Sequence, residues 1–132
     1  MRAVFDVVLV ETVGVGQSET EVADLVDTVL FAVQPGSGDS LQFIKAGIVE
    51  IPDVAIVTKA DMGGIAERAK RDLEGALGLT GAGMGGWEPP VLLVSASSGQ
   101  GIEAILEATS RHHAFLGDGL PARRQAQAQL WL

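Results

Sequence analysis

Short apolar runs alternate with longer amphipathic stretches along this chain. Four runs are rich in Val, Leu and Ile, which is typical of strands buried on both faces of a sheet. They are Phe5–Val10, Thr28–Val33, Val54–Val57 and Pro90–Val94. Because a helix-like stretch separates each run from the next, the pattern predicts an α/β fold with a mainly parallel sheet between helices.

Helical periodicity predicts the elements between these strands. Ser18–Glu21 gives an acidic, cap-like start to a short helix, and Asp39 with Ser40 can cap a second helix that Pro52 stops. Two further amphipathic helices are predicted over residues 62–79 and 102–115. The positions expected to face inward in the last three helices are Leu41, Ile44, Ile48 and Val49, then Ile65, Ala69, Leu73 and Leu77, then Ile105, Leu106 and Thr109.

Composition fits one such domain. The chain has 132 residues and is 47% hydrophobic but only 5% aromatic, so aliphatic side chains must build the core. A net charge of −8, with nine scattered Lys and Arg, argues against a nonspecific nucleic-acid binder.

The apolar runs are far shorter than the ~20 residues that span a bilayer. With no cysteine, disulfides and thiol chemistry are excluded, and we expect a cytoplasmic protein with no membrane partner.

The segment Thr58–Asp61 follows the third predicted strand, at the carboxyl ends of the strands, where ligands bind in parallel α/β folds. Asp61 can accept hydrogen bonds from the ring N–H and exocyclic amine of guanine, whereas adenine would leave this carboxylate facing an acceptor. Lys59 can lay its stem against the base, and the N–H of Ala96, after Ser95 and the next strand, can meet the guanine carbonyl oxygen. A Lys-x-Asp is also common in solvated loops, but the surrounding strands favour nucleotide binding by Thr58, Lys59, Asp61, Ser95 and Ala96.

A second candidate segment, residues 11–18, follows the first predicted strand. Glu11 can hold Mg²⁺, through water, because this ion prefers oxygen ligands and keeps part of its hydration shell. Its alternative role is a charge that closes the strand. Gly14 lets the backbone approach a γ-phosphate and donate its N–H, and Gln17 is the candidate catalytic residue that orients the attacking water.

Several familiar motifs are excluded. No G-x-x-x-x-G-K-[ST] phosphate-binding loop is present, since none of the three lysines follows a glycine. Residues 81–86 satisfy G-x-G-x-x-G, but they follow a helix and precede a strand, the reverse of a dinucleotide fingerprint, and so predict a linker. His112 and His113 lie on a predicted helix without a spaced carboxylate cluster, which favours a structural or surface role over metal binding.

Taken together, these segments closely resemble the methylmalonyl-CoA-mutase-associated GTPase chaperones, a family also labelled arginine/ornithine transport-system ATPases. The resemblance covers essentially the whole chain and rests on residues 10–19, 35–39, 42, 45, 47, 58–61, 86–91, 95–96, 99–101 and 123–125. It implies part of a P-loop NTPase domain of the SIMIBI class over residues 1–116, a three-layer sandwich that lacks the N-terminal P-loop strand. Residues 117–132 would begin a C-terminal helical dimerisation arm.

The resemblance also implies a function. Family members are usually homodimeric GTPases that use GTP or GDP with Mg²⁺ and assist adenosylcobalamin loading and protection of methylmalonyl-CoA mutase. Thr58 stands where the family usually has Asn, which weakens the expected affinity for guanine, and without the phosphate-binding loop we expect no GTP hydrolysis by this chain alone. Two alternatives remain: a non-enzymatic module that binds itself or a partner, and a nucleotide-dependent maturation factor for another metalloenzyme.

The implied fold makes a prediction about strand pairing. In P-loop GTPases the loop-bearing strand lies between the counterparts of Phe5–Val10 and Thr28–Val33. Its absence would open the middle of the sheet. We therefore expect these two strands to pair directly, or another chain to cover the exposed edges.

Overall fold

A parallel sheet forms the centre of the computed structural model, which describes residues 4–11, 25–36, 42, 52–79 and 86–119. Its three strands stand in the order β1-β2-β3 and are β1 (Leu30–Val33), β2 (Val54–Val57) and β3 (Val91–Leu93). Both pairings are parallel, and Leu30 of β1 stands beside Val54 of β2. Three of the four predicted strands are therefore confirmed. Strand β1 begins two residues later than predicted, and β3 begins one residue later and ends one residue earlier.

Two helices follow β2 and β3 and cover opposite faces of the sheet. They are α1 (Gly64–Leu79) and α2 (Ile102–Leu116). A single 3-10 turn, Ala60–Met62, precedes α1, and another, Gly117–Gly119, follows α2. None of the helices in the described ranges is long and apolar enough to cross a membrane.

Each face of the sheet has its own apolar core, so the described part of the chain has three layers. Alternate strand residues point to alternate faces, as the period of a β-strand requires. On the α1 face the buried residues are Val33, Ala55, Val57, Ala66, Leu73, Ala76, Leu77 and Val91. On the α2 face they are Val54, Ile56, Val94 and Ala108. The predicted α/β sandwich with a parallel sheet is confirmed.

The helices are rotated slightly from their predicted orientations. In α1, Leu73 and Leu77 are buried as expected, but Ile65 is 55% exposed and Ala66 takes the inward position. In α2, Leu106 is 62% exposed, whereas Ala108 is fully buried. In both helices an alanine replaces a larger predicted core residue, because a small side chain lets the helix backbone lie closer to the sheet.

The prediction of a buried first strand at Phe5–Val10 is wrong. These residues form no strand, and Phe5, Val7 and Leu9 are 58%, 76% and 86% exposed. Direct pairing with the strand at Leu30–Val33 is also absent, since among the described residues β1 pairs only with β2. A strand buried on both faces needs a hydrogen-bonded neighbour and a covering layer on each side, and the described residues supply neither to this segment.

Some predicted elements lie outside the described residues. They are the short helix that begins at Ser18, the helix that begins at Asp39 apart from Gln42, most of the linker at residues 81–86, and the arm beyond residue 119. The domain boundary after residue 116 stays a prediction, since the arm that would follow it lies beyond the described residues.

Candidate functional site

The turn after β2 is fixed to the structure on both sides. The N–H and the hydroxyl of Thr58 both donate to the carbonyl oxygen of Val33 at the end of β1, at 2.9 and 3.1 Å. The N–H of Ala60 donates to the carbonyl oxygen of Val94, just after β3, at 3.0 Å. Between them, Lys59 has a left-handed backbone with φ 55° and ψ 44°. Such a conformation costs on the order of 1–3 kcal/mol for a residue with a side chain, so the flanking bonds must hold it.

Asp61 is held by a buried serine from the neighbouring strand end. Ser95 is 1% exposed, and its hydroxyl donates to Oδ1 of Asp61 at 3.0 Å. The Ser95 oxygen also lies 3.1 Å from the Ser97 hydroxyl and accepts from the N–H of Ser98 at 3.4 Å. Because a hydroxyl has only one proton, Ser97 must be the donor in its contact with Ser95. The Ser95 hydroxyl thus orients the carboxylate of Asp61 from the protein side, while Asp61 itself remains exposed to solvent.

The turn after β3 brings a backbone amide to the same edge of the sheet. The N–H of Ser95 donates to the carbonyl of Gln100, and the N–H of Gly99 donates to the carbonyl of Ser95, both at 2.9 Å. Ala96 is exposed, and no hydrogen bond within the described ranges uses its N–H. Gly101 closes the turn with φ 80°, and a Cβ there would collide with the carbonyl oxygen of Leu93. The amide of Ala96 is therefore presented beside the turn that carries Asp61.

The structure brings together five of the eight residues predicted for the site. Thr58, Lys59, Asp61, Ser95 and Ala96 lie on the two turns just described. Within this group the buried hydroxyl of Ser95 holds the carboxylate of Asp61.

The three remaining candidates belong to the phosphate and metal part of the predicted site. Glu11 lies in the exposed segment that is not part of the sheet, and Gly14 and Gln17 lie outside the described residues. Within the described ranges no three His, Cys, Asp or Glu residues come together in a way that could hold a metal ion.

Sequence reasoning missed a second polar cluster, at the amino ends of the strands. Nδ1 of His112 lies 2.8 Å from the Thr28 hydroxyl, and Nε2 lies 3.2 Å from Oδ1 of Asp53. Oδ2 of Asp53 accepts from the N–H of Val29 at 2.8 Å, and the Asp53 carbonyl accepts from the Trp87 indole at 2.8 Å. These residues come from four separate segments of the chain, so their spacing in the sequence does not indicate that they form a cluster.

The second cluster confirms a structural role for one of the two histidines. His112 is 2% exposed, and its ring packs edge-on against that of Trp87 with centroids 4.9 Å apart. The neighbouring His113 is exposed. Both ring nitrogens of His112 thus lie within hydrogen-bonding distance of side chains from other segments, the hydroxyl of Thr28 and the carboxylate of Asp53.

Comparison with known proteins identifies the family of this chain. Residues 2–132 match the family model described as "Methylmalonyl Co-A mutase-associated GTPase MeaB". A Caulobacter vibrioides protein named "Putative GTPase" is 44% identical over 131 residues, which cover 97% of this chain and 40% of that protein. The Mus musculus protein "Methylmalonic aciduria type A homolog, mitochondrial" is 41% identical over 132 residues, which cover 97% of this chain and 32% of that protein.

A third relative, from Mycobacterium bovis, is named "Probable GTPase Mb1533" and is 43% identical over 131 residues, which cover 96% of this chain and 39% of that protein. The chain therefore spans between 32% and 40% of the length of these relatives. Since the family match extends over residues 2–132, the chain belongs to the MeaB family of methylmalonyl-CoA-mutase-associated GTPases.

Proposed function

We propose that the two turns at the carboxyl ends of β2 and β3 bind the guanine base of GTP or GDP. The observation that carries this proposal is the hydrogen bond from the buried Ser95 hydroxyl to Asp61, because it orients an exposed carboxylate without saturating it. A carboxylate that only solvated a loop would need no buried partner. Such preorganisation lowers the cost of binding, since the acceptor is already in place before the ligand arrives.

Base selection follows from the donors and acceptors at this edge. The carboxylate of Asp61 accepts from the ring N–H and the exocyclic amine of guanine, the N–H of Ala96 donates to the guanine carbonyl, and the stem of Lys59 covers the base face. Adenine has neither the amine nor the ring N–H at these positions. An unmatched buried polar group costs about 1–3 kcal/mol, which corresponds to roughly 5- to 150-fold in affinity.

The phosphate part of the proposed site rests on the family and on the residue types. Glu11 would bind Mg²⁺, through water, Gly14 would donate its N–H to the third phosphate, and Gln17 would orient the attacking water. A nucleotide-bound Mg²⁺ needs only one or two protein carboxylates, since phosphates and waters complete its shell. Because no G-x-x-x-x-G-K-[ST] segment is present in these 132 residues, we expect no GTP hydrolysis by this chain alone.

The biological role we propose is that of the family. In this role a homodimeric, cytoplasmic GTPase chaperone assists adenosylcobalamin loading and protection of methylmalonyl-CoA mutase. Support comes from the family description, which links the GTPase to that enzyme, and from the name of the mouse relative, which refers to methylmalonic aciduria. A client among other metalloenzymes is the alternative, and it would use the same base-reading turns.

Calorimetric titration of GDP and ADP into the chain tests the base-reading site. We expect GDP to bind at least tenfold more tightly than ADP. Asp61→Ala should remove this preference, whereas Asp72→Ala, which removes an exposed carboxylate from α1, should preserve it. Equal affinity for the two nucleotides, or a preference that survives Asp61→Ala, would contradict the proposal.

A second candidate function is a non-enzymatic module that assembles with itself or with a partner. The exposed apolar side chains at residues 4–10, among them Val7 and Leu9, favour it. The same titration separates the two functions, because a pure assembly module would bind neither nucleotide while still forming a stable oligomer.

A further inference from the structure

The buried hydroxyl of Ser95 uses all of its hydrogen-bonding capacity. A serine hydroxyl has one proton and two acceptor lone pairs. Its proton goes to Oδ1 of Asp61 at 3.0 Å, the N–H of Ser98 donates to it at 3.4 Å, and the Ser97 hydroxyl lies 3.1 Å away. Because the carboxylate already takes the only proton of Ser95, the hydroxyl of Ser97 is a donor, and it is the nearer of the two donors. The three side chains therefore form a directed chain from Ser97 through Ser95 to Asp61.

Asp61 depends on this chain for the orientation of its carboxylate. Within the described ranges Ser95 is the only group that donates a hydrogen bond to the side chain of Asp61, and it donates to Oδ1. The terminal torsion of an aspartate side chain is soft and has a broad distribution of angles. A single hydrogen bond at Oδ1 therefore sets the plane of the carboxylate, and with it the position of the second oxygen that a ligand would meet.

Ser97 is an exposed residue of the turn after β3 whose side chain nevertheless bonds to a buried group. Its partner Ser95 is only 1% exposed. The hydroxyl of the adjacent Ser98 instead accepts from the N–H of Gln100 at 3.3 Å and so bonds within the turn. In the part of the chain that the structure describes, the Ser97 hydroxyl has no other hydrogen bond. The contact with Ser95 is therefore what this hydroxyl contributes.

We propose that Ser97 is a positioning residue for guanine recognition, because its hydroxyl acts through Ser95 to fix the carboxylate of Asp61 that selects guanine over adenine. This inference rests on the proposed function of the two turns. Hydrogen bonds in a chain polarise one another, so a donor to Ser95 strengthens the bond from Ser95 to Asp61. The same donor occupies a lone pair of Ser95 and leaves its proton directed at the carboxylate. Ser97 acts on the base only through these two side chains.

Calorimetric titration of Ser97→Ala with GDP and ADP tests this role. The variant removes one hydroxyl at an exposed position, so we expect the wild-type unfolding midpoint and GDP binding weakened about threefold to tenfold, the range of one net hydrogen bond. Adenine presents neither of the two donors that meet the carboxylate, so the affinity for ADP should not change. Ser97→Thr keeps the hydroxyl and should restore most of the GDP affinity.

A double-mutant cycle separates positioning through Ser95 from a general effect on the turn. In the Ser95→Ala background the hydroxyl through which Ser97 acts is absent, so Ser97→Ala should cause no further loss of GDP affinity. Ser98→Ala is the matched control, because it removes a neighbouring hydroxyl that bonds to Gln100 instead. Any change that this control makes in GDP affinity should be the same with and without the Ser95 hydroxyl.

Three results would overturn the role of Ser97 without affecting the proposed guanine site. They are wild-type GDP affinity in Ser97→Ala, a loss of affinity that ADP shares, and a loss that is equally large in the Ser95→Ala background. In each case the wild-type chain would still prefer GDP over ADP and would lose this preference in Asp61→Ala. A wild-type chain with equal affinity for GDP and ADP would instead contradict the proposed function, and the role of Ser97 with it.

Discussion

At the amino ends of the strands, the side chain of Asp53 is shared between the N–H of Val29 and the ring of His112, and its carbonyl binds the Trp87 indole. At the carboxyl ends, Asp61 has one buried partner, Ser95, and its outer side remains in solvent. Both clusters join a carboxylate to groups from distant segments. The carboxylate of Asp53 contacts groups of the protein through both oxygens, whereas the exposed carboxylate of Asp61 can still accept hydrogen bonds from a ligand.

If the proposed function is correct, the first cluster stabilises the fold and the second binds the ligand. Removing a partner from a saturated, largely buried cluster leaves an unmatched polar group, so its cost appears in the free energy of unfolding. Changing an exposed, half-satisfied carboxylate costs the fold little, and its effect appears only when the ligand is added. The following predictions are ordered by their expected effect on the free energy of unfolding.

The largest effect is expected at Gly101, which supports the carboxyl-end turn. Gly101→Ala places a Cβ against the carbonyl oxygen of Leu93 in a left-handed backbone, and we expect a loss of about 3 kcal/mol or more in urea unfolding. Gly99→Ala is a matched control, because Gly99 has the same φ of 80° but nothing within 4 Å of the added atom. Its cost should be about 1 kcal/mol. Equal losses for the two variants would show that the close approach to Leu93 is unimportant.

His112→Ala should have the next largest effect. It removes a buried ring from Trp87 and leaves Asp53 and Thr28 without that partner, so we expect a loss of about 2–4 kcal/mol. His113→Ala changes an exposed neighbour on the same helix and should cost less than ~0.5 kcal/mol. Where His112→Ala remains folded, its GDP affinity should match the wild type. A large loss of GDP affinity in the folded variant would contradict the separation between a stabilising cluster at the amino ends of the strands and a ligand-binding cluster at their carboxyl ends.

Ser95→Ala should affect both stability and binding. It removes the buried hydroxyl that holds Asp61, so we expect about 1 kcal/mol lower stability and about tenfold weaker GDP binding. Ser110→Ala, at an exposed position on α2, is the control and should change neither quantity. Unchanged GDP affinity in Ser95→Ala would mean that the orientation of Asp61 does not depend on this hydrogen bond.

Thr58→Val should give a smaller loss of stability, about 0.5–1.5 kcal/mol, because it keeps the shape of the side chain and removes only the hydroxyl bond to Val33. Thr58→Ser retains the hydroxyl and should restore most of the GDP affinity that Thr58→Val loses. If serine and valine variants bind GDP equally, the hydroxyl does not position the base-reading turn.

The two clusters also differ in how far the sequence predicted them. The juxtaposition of the two turns at the carboxyl ends of β2 and β3 could be predicted from sequence because each turn follows an apolar run, and the ends of adjacent parallel strands must meet. The cluster of His112, Asp53 and Trp87 could not be found in this way, since it joins a helix end to two loops through tertiary contacts alone.

The wrong prediction at Phe5–Val10 has a related cause. Apolar runs report the tendency to form a strand, but a strand also needs a partner, and no local pattern shows whether the partner is present. The same limit explains Ile65 and Leu106, which have the expected helical spacing although alanines one or two positions away make the contacts with the sheet. Spacing locates an element, and packing decides which of its side chains are buried.

The most direct test of the base-reading site is Asp61→Asn, titrated with GDP and with xanthosine diphosphate. An amide presents a donor where the carboxylate presents an acceptor, which matches the second carbonyl of xanthine in place of the amine of guanine. We expect the variant to keep the wild-type unfolding midpoint, to bind GDP at least tenfold more weakly, and to prefer xanthosine diphosphate over GDP. GDP binding that is unaffected by Asp61→Asn would contradict the proposed site.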